Sequence, residues 1–198
     1  RGLKFSWYPR AGVRVDRVNK ELLAIMKRAG CYRVPFGIES GCQRVIDVIK
    51  KGITLEQAEN AVKLAKEVGL EVECYFMIGL PTETEEDILK SINFAKKLDP
   101  DYAKFALTIP LPGTELFENM MKNNRIKSLQ WSDYNFAITP SILYEHDNLS
   151  WKQLEYYYAK CHRDFYLRPS FMLKSICNSI KSGLLLAHIN AFLSTKWF

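Results

Sequence analysis

The sequence predicts an α/β protein with about four parallel strands, followed by a mostly α-helical C-terminal segment. Three observations lead there. Over the first 124 residues short apolar runs alternate with helical patterns, and such alternation means parallel strands joined by right-handed crossovers. The unit also repeats: Gly30 and Gly69 each close a helix, and each precedes a strand that leaves through glycine. The strand candidates are near-continuously apolar, as strands covered on both faces should be.

Residues 3–7 form the first strand candidate, and a Pro/Gly connection follows over 8–13. Asn19 is an N-cap for a helix through Arg28, with Leu22, Leu23, Ile25 and Met26 as its apolar stripe and Gly30 as its stop. The second strand, 32–38, runs into Gly37-Ile-Glu-Ser-Gly41. A short helix over 43–50 ends at Gly52. Thr54 and Gln57 then make a capping box for a helix carrying Ala58, Val62, Leu64 and Ala65. The third strand, 70–78, ends at Gly79. Leu80-Pro-Thr-Glu-Thr84 turns into a helix to about Lys97. The fourth strand, 102–109, exits through Pro110-Leu-Pro-Gly-Thr114, where two prolines fix φ. One short helix follows over 115–124, then an irregular, aromatic-rich connection over 127–148. Ser150 and Gln153 form another capping box, and helices broken at Pro169 and Gly183 complete the chain. The expected division is 1–124 for the strand-bearing part and 125–198 for a helical extension.

The chain has 198 residues and a net charge of +6, of which +5 falls from Trp151 onward. The near-neutral front argues against a general nucleic-acid footprint. The five cysteines, Cys31, Cys42, Cys74, Cys161 and Cys177, have no metal-knuckle spacing. Free, mostly buried thiols in a reducing, cytoplasmic setting are expected. No apolar run approaches the twenty residues that a bilayer requires. Membrane contact by the last helix is the lesser expectation. Arg1 leads directly into an apolar run, which reads as a chain cut inside a domain.

A carboxylate at the end of a buried strand needs a partner, and in parallel sheets that end is where ligands bind. Glu39 and Ser40, between Gly37 and Gly41, therefore mark a ligand-holding edge. A Glu bonded to a neighbouring loop is the plainer alternative. The run Glu73-Cys-Tyr-Phe-Met-Ile78 could form an apolar wall for an adenine, or simply core.

Read in order, Arg14-x-Asp16, Ala29-Gly-Cys31, Phe36-Gly-Ile-Glu-Ser-Gly41, Lys51-Gly-x-Thr54, Phe76-Met-Ile-Gly-Leu-Pro81 and Pro110-x-Pro-Gly-Thr114 resemble the second half of a radical S-adenosylmethionine domain. The closest likeness is to the branch that often carries a cobalamin-binding domain, which includes methyltransferases and the oxidative cyclase of chlorophyll synthesis. Tyr158-x4-Arg-Asp-Phe-Tyr-Leu-Arg-Pro169 resembles the helical segment ending such proteins. The resemblance spans nearly the whole chain. It implies a partial (β/α) TIM-like barrel with helices outside, and a 5′-deoxyadenosyl radical chemistry that needs S-adenosylmethionine and a four-iron–four-sulfur cluster. The cluster motif Cys-x-x-x-Cys-x-x-Cys does not occur in these 198 residues. The resemblance therefore implies that the cluster ligands and any cobalamin domain lie in a missing N-terminal half, and that this chain alone lacks activity. It also places Glu39 and Ser40 at the ribose or amino end of S-adenosylmethionine, Ile78, Gly79 and Leu80 near its adenine, and Arg14 by a carboxylate or phosphate. The expected partner is a small-molecule substrate. Two rival readings are a non-catalytic nucleotide-binding module and another barrel enzyme using Glu39 as acid or base. The first lacks a phosphate-binding glycine loop. The second lacks a histidine at the strand exits, since His146, His162 and His188 all follow the strands in sequence.

Overall fold

The structure is a computed structural model that describes residues 4–134, 140–181 and 183–194. Three strands, β1 (Arg33–Glu39), β2 (Glu71–Ile78) and β3 (Tyr102–Leu107), form one parallel sheet in sequence order. Among them run α1 (Lys20–Arg28), α2 (Gln43–Val48), α3 (Leu55–Val68) and α4 (Glu85–Leu98). Then follow α5 (Glu115–Lys122), α6 (Trp151–Tyr166), α7 (Pro169–Lys181) and α8 (Leu185–Ser194). The helix starts are those that the caps dictate. Asn19 accepts from the Leu22 N–H, and Thr54, Thr84 and Ser150 each close a full capping box.

The first expected strand is corrected. Leu3 lies outside the described residues, and the described part of 3–7 makes one parallel bridge only, Trp7 to Cys31. Its ladder is interrupted because Pro9 has no N–H and the chain turns there, with the Gly12 N–H on the Pro9 carbonyl. Val13 then rejoins β1 by a second bridge, to Phe36. The edge of the sheet is thus two single contacts on either side of a turn.

The idea of strands apolar on both faces is corrected too. Val34, Phe36, Ile38, Val72, Cys74, Phe76, Ile78, Ala103 and Phe105 face the helices and form the main core. The opposite face carries ion pairs. Arg33 meets Glu71 at 2.8 Å, and Lys104 meets Glu73 at 2.7 Å, with Arg33 stacked over Tyr102. Glu73 is 1% exposed and lies between these two cations, which is how a carboxylate is tolerated there. The period-2 alternation that reveals a two-sided strand is present in Arg33-Val-Pro-Phe and Glu71-Val-Glu-Cys.

The helix α6 is part of this core. Leu154, Tyr157, Cys161 and Phe165 bury its inner stripe against β3 and α4. Burying a Leu or Phe contributes about 1.5–3 kcal/mol. The hydroxyl of Tyr166 brackets the Ala103 backbone, accepting from its N–H and donating to its carbonyl. The next helix, α7, joins through Phe171, which packs on Phe165 and Tyr166, and through Lys174 on Asp101.

Candidate functional site

At the C-terminal end of the sheet, β1 leaves through an irregularity. Gly37 pairs with Tyr75, but Glu39 pairs with Phe76, so the register slips by one between Gly37 and Glu39. Glu39 takes a left-handed φ of 72°. Such bulges re-aim a side chain at a sheet edge. Here the Glu39 carboxylate turns back over Gly37 and meets the Lys51 ammonium at 2.6 Å. A Cβ on Gly37 would lie 2.9 Å from Glu39 Oε1 and 3.2 Å from Lys51 Nζ, so the pair packs directly over that position. Lys51 is fixed from behind, since its carbonyl accepts from the Arg14 guanidinium at 3.2 Å.

The exit of β2 is built on a second carboxyl. Glu83 is fully buried, and its Oε2 accepts from the N–H groups of Gly79 (2.7 Å) and Leu80 (3.2 Å). Burial pushes its pKa up to about 7 despite these bonds. Its Oε1 has no hydrogen-bond partner. Thr82, between Leu80 and Glu83, also stands in the left-handed region, with φ of 62°. Arg44 from α2 donates to the Thr82 hydroxyl and carbonyl and pairs with Asp87 at the start of α4. Burial works against the Asp87 charge. Bonds from Cys42, Thr84 and Arg44 outweigh it and hold the carboxyl down at about 2.

Between these exits and α5 lies a groove of about 600 Å³. Glu39 stands on one side. Met77, Leu80 and Ile109 supply apolar wall, and Thr108 closes the end of β3. Thr108 is 3% exposed, and its Oγ1 has no partner. An apolar cleft with a few convergent polar groups is the usual form of a small-molecule site. This one offers the Glu39 carboxylate, which is paired behind it with Lys51, and an apolar wall.

The expected site residues divide. Glu39 and Leu80 line the groove. Ser40 does not reach it. Its hydroxyl is buried, 3.0 Å from the Ser91 hydroxyl, and accepts from the Cys42 N–H. Gly41 likewise serves packing, because a Cβ there would lie 2.5 Å from Phe94 Cβ and 2.7 Å from Ser91 Cα of α4. Ile78 points into the core, and strand alternation puts Met77 on the groove instead. Gly79 serves through its N–H on Glu83. Arg14 is held by Asp16 (2.9 and 3.1 Å) and the Lys51 carbonyl. Lys51, Glu83 and Thr108 escaped sequence reasoning as site residues. The sequence does bring a histidine to a strand exit after all: His146 returns to Leu80, 66 residues away in sequence.

Comparisons with known proteins agree with this architecture. Residues 10–95 match the radical SAM superfamily model. The chain is 41% identical over 175 residues to an uncharacterized methyltransferase of Pyrococcus horikoshii, covering 88% of this chain and 37% of that protein. It is 31% identical over 122 residues to the anaerobic magnesium-protoporphyrin IX monomethyl ester cyclase of Rubrivivax gelatinosus, covering 62% and 21%. It is 30% identical over 169 residues to the cytidylyl-2-hydroxyethylphosphonate methyltransferase of Streptomyces wedmorensis, covering 82% and 32%. The chain thus spans between 21% and 37% of the length of these curated relatives. Among solved structures the fold matches TsrM, a radical S-adenosylmethionine methyltransferase of Kitasatospora setae solved with cobalamin and an iron–sulfur cluster. That match has a TM-score of 0.53 at 23% identity, over 61% of this chain and 23% of TsrM. It also matches the coproporphyrinogen III oxidase of Escherichia coli, with a TM-score of 0.53 at 17% identity, over 87% of this chain and 32% of the oxidase. With the motif order along the sequence, the parallel sheet and these relatives in agreement, the chain belongs to the radical SAM superfamily.

Proposed function

We propose that this chain forms part of the S-adenosylmethionine cradle of a radical SAM enzyme of the methyltransferase or cyclase type, acting on a small molecule. The observation that carries this reading is the Glu39 carboxylate, ion-paired with Lys51, on the wall of a largely apolar groove. S-adenosylmethionine carries an ammonium and a carboxylate at one end, ribose hydroxyls in the middle and a flat base at the other. A carboxylate accepts from hydroxyls and pairs with an ammonium, and a lysine pairs with a carboxylate. Met77, Leu80 and Ile109 suit the base. The 41% identity to a protein named as a methyltransferase favours that reaction class.

The residues do not fit an iron–sulfur cluster. The described residues hold no group of three His, Cys, Asp or Glu side chains placed for a metal ion, and Cys31, Cys42, Cys74 and Cys161 are each buried apart. This chain's part is to bind and orient the cofactor and exclude water from it. In that reading the strand-bearing part, residues 1–124, holds the cofactor, and the helical part, 125–198, covers and braces it. No described residue is assigned to cobalamin.

Calorimetric titration tests the proposal. S-adenosylmethionine should bind, and adenosine, which lacks the charged tail, should bind about tenfold or more weakly. No binding of S-adenosylmethionine at about 1 mM, a free energy of only about 4 kcal/mol, would overturn it.

A further inference from the structure

The connection around residues 144–149 closes on the β2 exit loop from outside. His146 is 8% exposed. Its Nδ1 accepts from the backbone N–H groups of Asn148 and Leu149, both at 3.2 Å. With Nδ1 committed as an acceptor, the ring proton sits on Nε2, which donates to the Leu80 carbonyl at 2.9 Å. The next two residues extend the contact. Asp147 Oδ2 accepts from the Thr82 N–H at 3.0 Å, and Asn148 Nδ2 donates to the carbonyls of Thr82 (3.0 Å) and Glu83 (3.3 Å). Arg125 holds Asp147 in place through its other oxygen.

The loop is therefore gripped from both sides, by Glu83 within and by His146, Asp147 and Asn148 without. It needs that grip. Thr82 is β-branched and left-handed, a conformation that such residues avoid. Strain of this kind persists only where the surroundings over-determine it. The gripped backbone belongs to the residues that present Leu80 and Thr82 to the groove.

We propose that His146 is a positioning residue for the groove: its Nε2–H on the Leu80 carbonyl sets where the loop 79–83 stands against the bound cofactor. The inference rests on the cofactor reading above for its ligand. It rests on the hydrogen bonds alone for the loop.

Two substitutions separate the halves of the ring. Gln carries an N–H about where His Nε2 lies but offers no acceptor at Nδ1. Asn offers the acceptor but does not reach Leu80. The readouts are amide hydrogen exchange over 79–83, the dissociation constant for S-adenosylmethionine and the melting temperature. His146→Asn should speed exchange and weaken binding, each about tenfold, from the loss of one hydrogen bond. His146→Gln should stay within about twofold on both, while lowering the melting temperature as the 148 and 149 N–H groups lose their acceptor. Native exchange and affinity in His146→Asn would overturn the proposal. So would an equal loss of affinity in His146→Gln, which would make the histidine a former of its own turn. If the unaltered protein binds no S-adenosylmethionine, the cofactor reading fails. Exchange over 79–83 then decides the clamp: faster exchange in His146→Asn upholds it, and unchanged exchange overturns it.

Discussion

Glu83→Gln offers a quantitative test of the buried carboxyl at the β2 exit. In the unfolded chain Glu83 ionises near its ordinary value of 4.5, and in the folded protein only near 7. Between those values the folded state keeps a proton that the unfolded state has lost. The stability this gives is complete below 4.5 and is lost as the pH rises through 7. One pKa unit corresponds to 1.36 kcal/mol, so the loss is about 3 kcal/mol once Glu83 is ionised in the folded state. Gln keeps an acceptor for the Gly79 and Leu80 N–H groups and cannot ionise. Its amide N–H₂ replaces the unpartnered Oε1, a cost that does not change with pH. Urea unfolding of both proteins from about pH 5 to about pH 8.5 isolates the effect, because all other titrating groups cancel in the difference. The variant should gain about 2.5 kcal/mol relative to the unaltered protein across that range, since part of the loss already lies below about pH 5. A difference that stays flat, or that moves against the variant as the pH rises, would mean that Glu83 is ionised throughout.

Two further outcomes follow from the turn after β1. Gly41→Ala drives a methyl into the backbone of α4 at Ser91 and should cost about 1–3 kcal/mol. That would lower the melting temperature by roughly 2–4 °C for each kcal/mol; an unchanged melt would show that α4 can retreat freely. Ser40→Ala leaves the buried Cys42 N–H without its acceptor and should cost about 1–3 kcal/mol of stability. Its affinity for S-adenosylmethionine should be unchanged, whereas weaker binding with a native melt would return Ser40 to the site.

The parts of the fold that were legible in sequence are those with local chemistry behind them. The capping residues Asn19, Thr54 and Ser150 each start the helix they promised. Three of the four expected strands form in the expected order. The edge near Trp7 failed because apolar content alone does not show that Pro9 and Gly12 turn the chain away. Glu39 could be found because a charge at a strand end demands a partner. Its partner Lys51 could not, since only the bulge at Gly37–Glu39 brings the two together. Ser40 illustrates the reverse. Its neighbour's left-handed turn sends it inward to Ser91, which a reading of adjacent residues cannot show. His146 follows the strands in sequence, so nothing local ties it to a strand exit. Its return to Leu80 is a tertiary contact with no local signal beyond the short run His146-Asp-Asn148.

Glu39 is the residue on which cofactor binding depends most, and one substitution probes it. Glu39→Gln keeps the size and one acceptor of the side chain but removes its charge. It therefore breaks the ion pair with Lys51 and the charge-assisted bonds that a ribose or an ammonium would make. Such a bond contributes about 1.5–3 kcal/mol, so titration with S-adenosylmethionine should show affinity reduced roughly ten- to hundredfold, while the melting temperature falls by only a few degrees, since Gln still accepts from Lys51. Unchanged affinity together with a lowered melting temperature would mean that Glu39 holds Lys51 for the fold and not the groove for a cofactor.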